Sequence, residues 1–269
     1  MEQRNVLLHY HIFKNAGTTF ERVLDENYGD GHISFDGPFS FSVINQDQLC
    51  TIIQRHPSAI ACSSHQIYLP PPSATQFRPI PVVFIRHPLL RIRSLFLFGK
   101  RAMEQELDTL TRADPLAGLE EWINKKLSEN LLQISNLQTS ILAHCYNLPS
   151  KLEGREGRAQ LDLQLAINHL SVVPCLGRVE HFDTDVSSFT ETLARYDIPF
   201  VYTKRKAENV SSPDHENTVE EQLRAMEQSL SPQTWEKLNW LNHQDLALYE
   251  IAHEMVEKRL ANGFDIPVV

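Results

Sequence analysis

An apolar run opens the chain: VLLHYHIF, residues 6–13, reads as a buried strand. TTFERVLDENY follows with helical spacing of its apolar positions. Residues 29–42, GDGHISFDGPFSFS, are rich in glycine and serine and predict a loop. QDQLCTIIQRH predicts a helix, and AIACSSH a short strand ending in polar residues. YLPPPSATQFRPIP is proline-rich and predicts a loop at a substrate rim, because proline lacks the ladder donor of a central strand. PVVFIR is β-branched and apolar, the clearest strand. HPLLRIRSLFLFGKRAMEQEL predicts a helix with Pro88 in its first turn.

Asp114 and Pro115 predict the N-cap and first position of a further helix that runs on through LEEWINKKLSENLLQ. NLQTSILAHCY continues helically, SKLEGREGRAQ reads as a charged connection, and LDLQLAINHL as a helix. VPCLGRVEHF predicts a strand leading into a turn, and DVSSFTETLARY a helix. FVYTKRKAENVSSPDHEN predicts a partly basic loop before closing helices at VEEQLRAMEQSL and SPQTWEKLNWLNHQDLALYEIAHEMVEKRL. Strands alternating with helices predict an α/β fold with a central parallel sheet flanked by helices. No linker is biased enough to divide residues 1–269, so one domain is expected.

Composition narrows the function classes. A formal net charge of −9 over 269 residues argues against a general nucleic-acid binder, while leaving room for a local basic pocket. Cys50, Cys62, Cys145 and Cys175 lie far apart with no CxxC pair, so buried thiols are expected rather than a zinc ribbon or redox motif. MEQRNVLLHYHIF has no basic leader region, and no stretch approaches the roughly 20 apolar residues of a membrane span. A cytoplasmic protein without an integral membrane segment is the expectation.

Candidate chemistry sits at two strand ends. In FKNAGTT, residues 13–19, a strand runs through a small-residue turn into a helix start. Such a corner is an anion site, since free backbone N–H groups and the helix dipole face outward. Gly17 permits close backbone approach, Thr18 and Thr19 add hydroxyl donors, and Lys14 adds a cation. The lysine precedes the glycine, so this is not the G-x-x-x-x-G-K-[ST] loop of ATP-binding enzymes. PVVFIRHPLLRIRSLF repeats the layout: Arg86 at a strand end and Ser94 two helical turns on can hold a second phosphate.

Together these motifs resemble those of sulfotransferases that use 3′-phosphoadenosine 5′-phosphosulfate (PAPS). HIFKNAGTTF resembles the 5′-phosphosulfate loop of the carbohydrate branch, and FIRHPLLRIRSLF its 3′-phosphate motif. SNLQTSIL, LGRVEHFDTDVSSF and HQDLALYEIA resemble the N-x-Q-T, G-x-x-E-x-F and D-x-x-L-Y segments of the heparan-sulfate 2-O-sulfotransferase-like superfamily, bacterial-type members included. The resemblance spans roughly residues 6–252. Phe13 departs from it, standing where the family has proline, and no counterpart of the animal enzymes' substrate segments is found.

The resemblance implies a P-loop-like three-layer fold and in-line sulfuryl transfer from PAPS to an acceptor hydroxyl, foremost on a saccharide, with no metal required. It implies that Lys14 stabilises the leaving phosphate and that Lys14, Asn15, Ala16, Gly17, Thr18 and Thr19 hold the 5′-phosphate. Arg86 and Ser94 would hold the 3′-phosphate, and His65 would act as the base. His11 is expected to pack or hydrogen-bond, and the other histidines to be surface or helix residues. Asn136 and Gln138 are candidates for donor or acceptor contact, or ordinary polar helix residues. Lys204, Arg205 and Lys206 either cover the nucleotide, attract an anionic acceptor, or form a solvated run. Trp122, Trp235 and Trp240 are expected in the core. The competing readings are an ATP-dependent small-molecule kinase and a non-catalytic nucleotide-binding scaffold.

Overall fold

The computed structural model describes residues 3–39, 42–107, 114–129, 131–143, 156–204 and 218–262. In chain order the regular elements are β1 (Arg4–Tyr10), α1 (Gly17–Tyr28), β2 (His32–Ser34), α2 (Gln46–Arg55), β3 (Ala61–Ser64), β4 (Phe77–Ile85) and α3 (Pro88–Leu107). There follow α4 (Leu119–Glu129), α5 (Leu137–Leu142), α6 (Glu156–Ser171), β5 (Cys175–Arg178), α7 (Phe182–Ala194), α8 (Val219–Gln228), α9 (Pro232–Leu241) and α10 (His243–Asn262).

The strands form a five-stranded parallel sheet in the order β2-β3-β1-β4-β5. Alternation along β1 sends its side chains to opposite layers. Val6, Leu8 and Tyr10 pack in one core with Leu49 and Ile53 of α2 and Leu248, Ala252 and Val256 of α10. Leu7 packs in another with Phe20 and Leu24 of α1 and Val186 and Phe189 of α7. Helices thus cover both faces in a three-layer α/β arrangement. A third cluster, including Leu89, Ile92, Ile123, Met226 and Leu238, joins α3, α4, α8 and α9 beside the sheet. Among the described residues no helix is long and apolar enough to cross a membrane.

Several elements differ from expectation for identifiable reasons. His32–Ser34, inside the expected glycine-rich loop, is an edge strand paired with β3 alone. FRPIP belongs to β4 rather than to the proline-rich loop. Pro79 and Pro81 are two residues apart, so their missing donors fall on one side of the strand. β5 pairs only from Val82 onward, so no ladder on that side needs them. Asp114 does not cap a helix at Pro115; its Oδ1 accepts from Leu116 N at 2.9 Å in a turn, and α4 starts at Leu119. α6 begins at Glu156, within the expected charged connection. The long C-terminal helix is two helices, α9 and α10, meeting at Asn242.

Cys62 and Cys175 are buried free thiols and Cys50 is a half-buried one, while Cys145, Arg205 and Lys206 lie outside the described residues. Trp122 and Trp235 pack against the third cluster, but Trp240 is 61% exposed and not core.

Candidate active site at three strand ends

In an open parallel sheet, ligands bind beyond the carboxyl ends of the strands where the order reverses. Here β1 lies between β3 and β4, and these three neighbours deliver His11 to Ala16, His65 and Arg86 to one end of the sheet.

The loop after β1 is built on strain. Lys14 has φ 69° and Ala16 φ 58°, the left-handed region, although neither is glycine. Such residues cost on the order of 1–3 kcal/mol each and persist only where their surroundings fix them. Asn15 supplies the fixing: its side chain is buried and Nδ2 donates to Phe84 O at 2.8 Å and Gln138 Oε1 at 2.7 Å. Left-handed turns of this kind gather backbone N–H groups into an anion-binding concavity. No side chain caps α1 at Ala16, and Thr18 and Thr19 are exposed in its first turn. Gly17 has a further role in packing. A Cβ there would lie 1.9 Å from His11 Cδ2, so only glycine lets that imidazole lie against the turn.

The loop after β4 is tied to the first. Arg86 Nη1 donates to Lys14 O at 3.0 Å. Gln138, fully buried on α5, accepts from Arg86 N at 3.0 Å and donates to Arg86 O at 2.8 Å while also holding Asn15. Asp245 holds α5 in place, accepting from Gln138 N at 3.1 Å and from Thr139 N and Oγ1 at 2.7 Å each. Glu180 accepts from His87 N at 3.0 Å and from Tyr249 Oη at 3.3 Å, and lies 4.0 Å from Arg86 Nε. Arg91, fully buried on α3, donates from Nη2 to Gln133 O at 2.6 Å, with its Nε and Nη1 lacking a hydrogen-bond partner among the described residues.

These contacts give roles to residues that the sequence left open. Gln138 is the clamp between the loops. Asn136 instead caps α10, its Oδ1 accepting from Gln244 N and Asp245 N at 3.1 Å each. Lys204 pairs at the surface with Asp183 at 3.0 Å. Sequence reasoning gave Glu180, Asp245 and Tyr249 no role, although each stands in a segment quoted for its resemblance to other sequences.

α3 contributes one face to the site. Ser94, Phe98 and Arg101 are spaced i, i+4, i+7 and share that face. Ser94 is buried, whereas Phe98 is 51% exposed with Lys14 Nζ 4.2 Å from its ring centre. Partial burial, with Arg86 and Arg101 as positive neighbours, lowers the Lys14 pKa to about 8. Phe13 packs edge-on to Phe98 at 5.9 Å, lies 6.3 Å from His65 and has Lys14 Nζ 5.7 Å from its ring centre. Phe98 and Arg101 could have been found by extending helical spacing from Ser94.

His65 is held by Asp36, which follows β2. Asp36 Oδ2 is 3.0 Å from His65 Nδ1, and its Oδ1 accepts from His65 N at 2.9 Å and Ser64 Oγ at 2.7 Å. The ring stacks on His11 at 3.7 Å, and its side chain is 40% exposed. Burial and His11 lower its pKa, opposed by Asp36 and Glu21. With Nδ1 engaged, Nε2 is left to accept a proton. His11 is buried and pairs with Glu21 at 3.2 Å, as a packing and bonding residue should. His9 and His32 are buried polar residues of the sheet rather than surface or helix residues.

No protein-family model matches the chain. It is 25% identical over 260 residues to an uncharacterized protein of Archaeoglobus fulgidus, an alignment that covers 95% of this chain and 98% of that one.

Proposed function

We propose that the protein is a sulfotransferase that moves a sulfuryl group from PAPS to an acceptor hydroxyl, foremost on a carbohydrate. The observation that carries this reading is the joining of two phosphate-type loops: Arg86 at the end of β4 bonds the backbone of Lys14 in the strained loop after the neighbouring β1. Two adjacent anion sites with no G-x-x-x-x-G-K-[ST] loop suit a ligand with phosphates at both ends of a nucleoside better than a triphosphate.

In this reading the acceptor oxygen attacks sulfur in line as the bond from sulfur to the 5′-phosphate oxygen breaks. His65 Nε2 takes the hydroxyl proton, with Asp36 orienting the ring. Lys14, beside Arg86 and Arg101, stabilises the charge that builds on the leaving phosphate. The backbone from Asn15 to Thr19 holds the 5′-phosphate, and Arg86 with Ser94 the 3′-phosphate.

Calorimetry with 3′,5′-adenosine bisphosphate, AMP and ATP tests it. Binding that requires the 3′-phosphate is expected; preference for ATP, or no nucleotide binding, refutes the reading. Lys14→Ala should abolish turnover with bisphosphate binding largely intact, and His65→Ala should lower turnover more than donor affinity.

A further inference from the structure

We propose that His9, His11 and Glu21 form a binding site for one divalent transition-metal ion beneath the first loop, independently of the sulfotransfer reading. Alternation along β1 and into the following loop puts His9 and His11 on one face, and α1 covers that face with Glu21 one turn after Gly17. The two rings lie side by side, 5.2 Å between centres and 20° between planes. Ligand atoms of the three residues all lie within 4.8 Å of one another. Two imidazole nitrogens and a carboxylate oxygen are a donor set for zinc and its first-row neighbours.

The geometry needs only small movements to close on an ion. Two ligands of a tetrahedral zinc lie roughly 3.3 Å apart when each is about 2.0–2.1 Å from the metal. His11 Nδ1 and Glu21 Oε1 are already 3.2 Å apart. A His9 nitrogen within 4.8 Å of the other two ligand atoms must approach by up to about 1.5 Å, which side-chain rotation can supply. Burial makes this a built pocket, with His9 1% and His11 6% exposed. The absence of a Cβ at Gly17 gives His11 its space under the turn.

The surrounding bonds have the form of an outer shell. Metal-bound histidines usually place their second nitrogen in a hydrogen bond that fixes the ring and its tautomer. His9 Nδ1 is 3.1 Å from Ser63 Oγ, which is 2.9 Å from His32 Nε2, and His32 Nδ1 is 2.6 Å from Asp25 Oδ1. That chain commits His9 Nδ1 and leaves Nε2 for an ion. Ser34 Oγ donates to Glu21 Oε1 at 3.2 Å and steadies the carboxylate. An ion pair alone would account for His11 and Glu21. It would not account for a second imidazole, buried beside them and held from behind by a bonded chain that ends on a carboxylate.

The test uses the full chain, stripped with chelator and titrated with zinc chloride by calorimetry and with cobalt chloride by visible absorption. One equivalent of zinc per chain, and cobalt d–d bands that zinc bleaches, are expected. Glu21→Gln should weaken zinc binding roughly a hundredfold, and Ser63→Ala, acting through His9, about tenfold. Circular dichroism confirms the fold of each variant; Glu21 is half-buried, so its replacement keeps the test open if the buried His11→Gln fails to fold. Absence of zinc uptake and of cobalt bands overturns the site. So does zinc held equally well by Glu21→Gln and His11→Gln, which would assign binding to other histidines.

Discussion

Lys14 offers a direct test of how the first loop is tuned. Its amine lies over Phe98 beside two arginines, and its pKa falls to about 8. About nine in ten Lys14 amines are then charged near pH 7 and about one in ten near pH 9. Competitive acetylation read by mass spectrometry should show Lys14 titrating near 8, well before the exposed lysines. The kcat/KM for PAPS, with water as acceptor in the absence of a better one, should fall about tenfold between pH 7 and 9, because the amine of the free enzyme must be charged to stabilise the leaving phosphate. Lys14→Arg keeps its charge throughout and should remove that alkaline fall. The stability consequence has a definite sign. The folded pKa lies below the unfolded value, so between about 8 and 10.5 the unfolded chain binds more protons and stability rises with pH. Charged Lys14 therefore costs stability at neutral pH, and Lys14→Met should gain about 1 kcal/mol at pH 7, discounted for partial exposure, with the gain gone above pH 11. The reasoning fails if Lys14 labels in step with surface lysines, or if Lys14→Arg shows the same alkaline fall as the parent.

Three further substitutions separate the parts of the site. Gly17→Ala drives a methyl to 1.9 Å from His11 and should destabilise by about 3 kcal/mol in urea titration while weakening bisphosphate binding. Gln138→Leu strands the Arg86 N–H and C=O; about 2–4 kcal/mol of stability should be lost, and with it the affinity of both loops for bisphosphate. Asp185→Asn breaks the buried Arg178–Asp185 pair, 2.8 Å apart, and should cost about 3 kcal/mol in the same titration; Arg178 stands opposite Ile85, beside Arg86, so bisphosphate affinity should fall with it.

The parts readable in sequence are those encoded locally. β1, β4 and α1 announce themselves by apolar period, and Lys14 and Arg86 by standing where a strand passes into a turn before a helix. Three-residue β2 has no apolar run to betray it, since the sheet defines it through pairing with β3 alone. Pro79 and Pro81 argue against a strand until it is known that β5 begins only opposite Val82. The clamp is hidden for another reason. Gln138 bonds residues 52 and 123 positions away, and Asp245 bonds α5 across 106 and 107. No period in a helix marks such a residue, because a buried glutamine and a solvated one look alike until their partners arrive from distant strand ends. The histidines lie between these cases. Alternation shows that His9 and His11 share a face, but only the docking of α1 over β1 puts Glu21 on that face. Chemistry carried by one strand end can thus be inferred from its neighbours in the chain. Chemistry assembled between layers follows only from the crossover that brings them together.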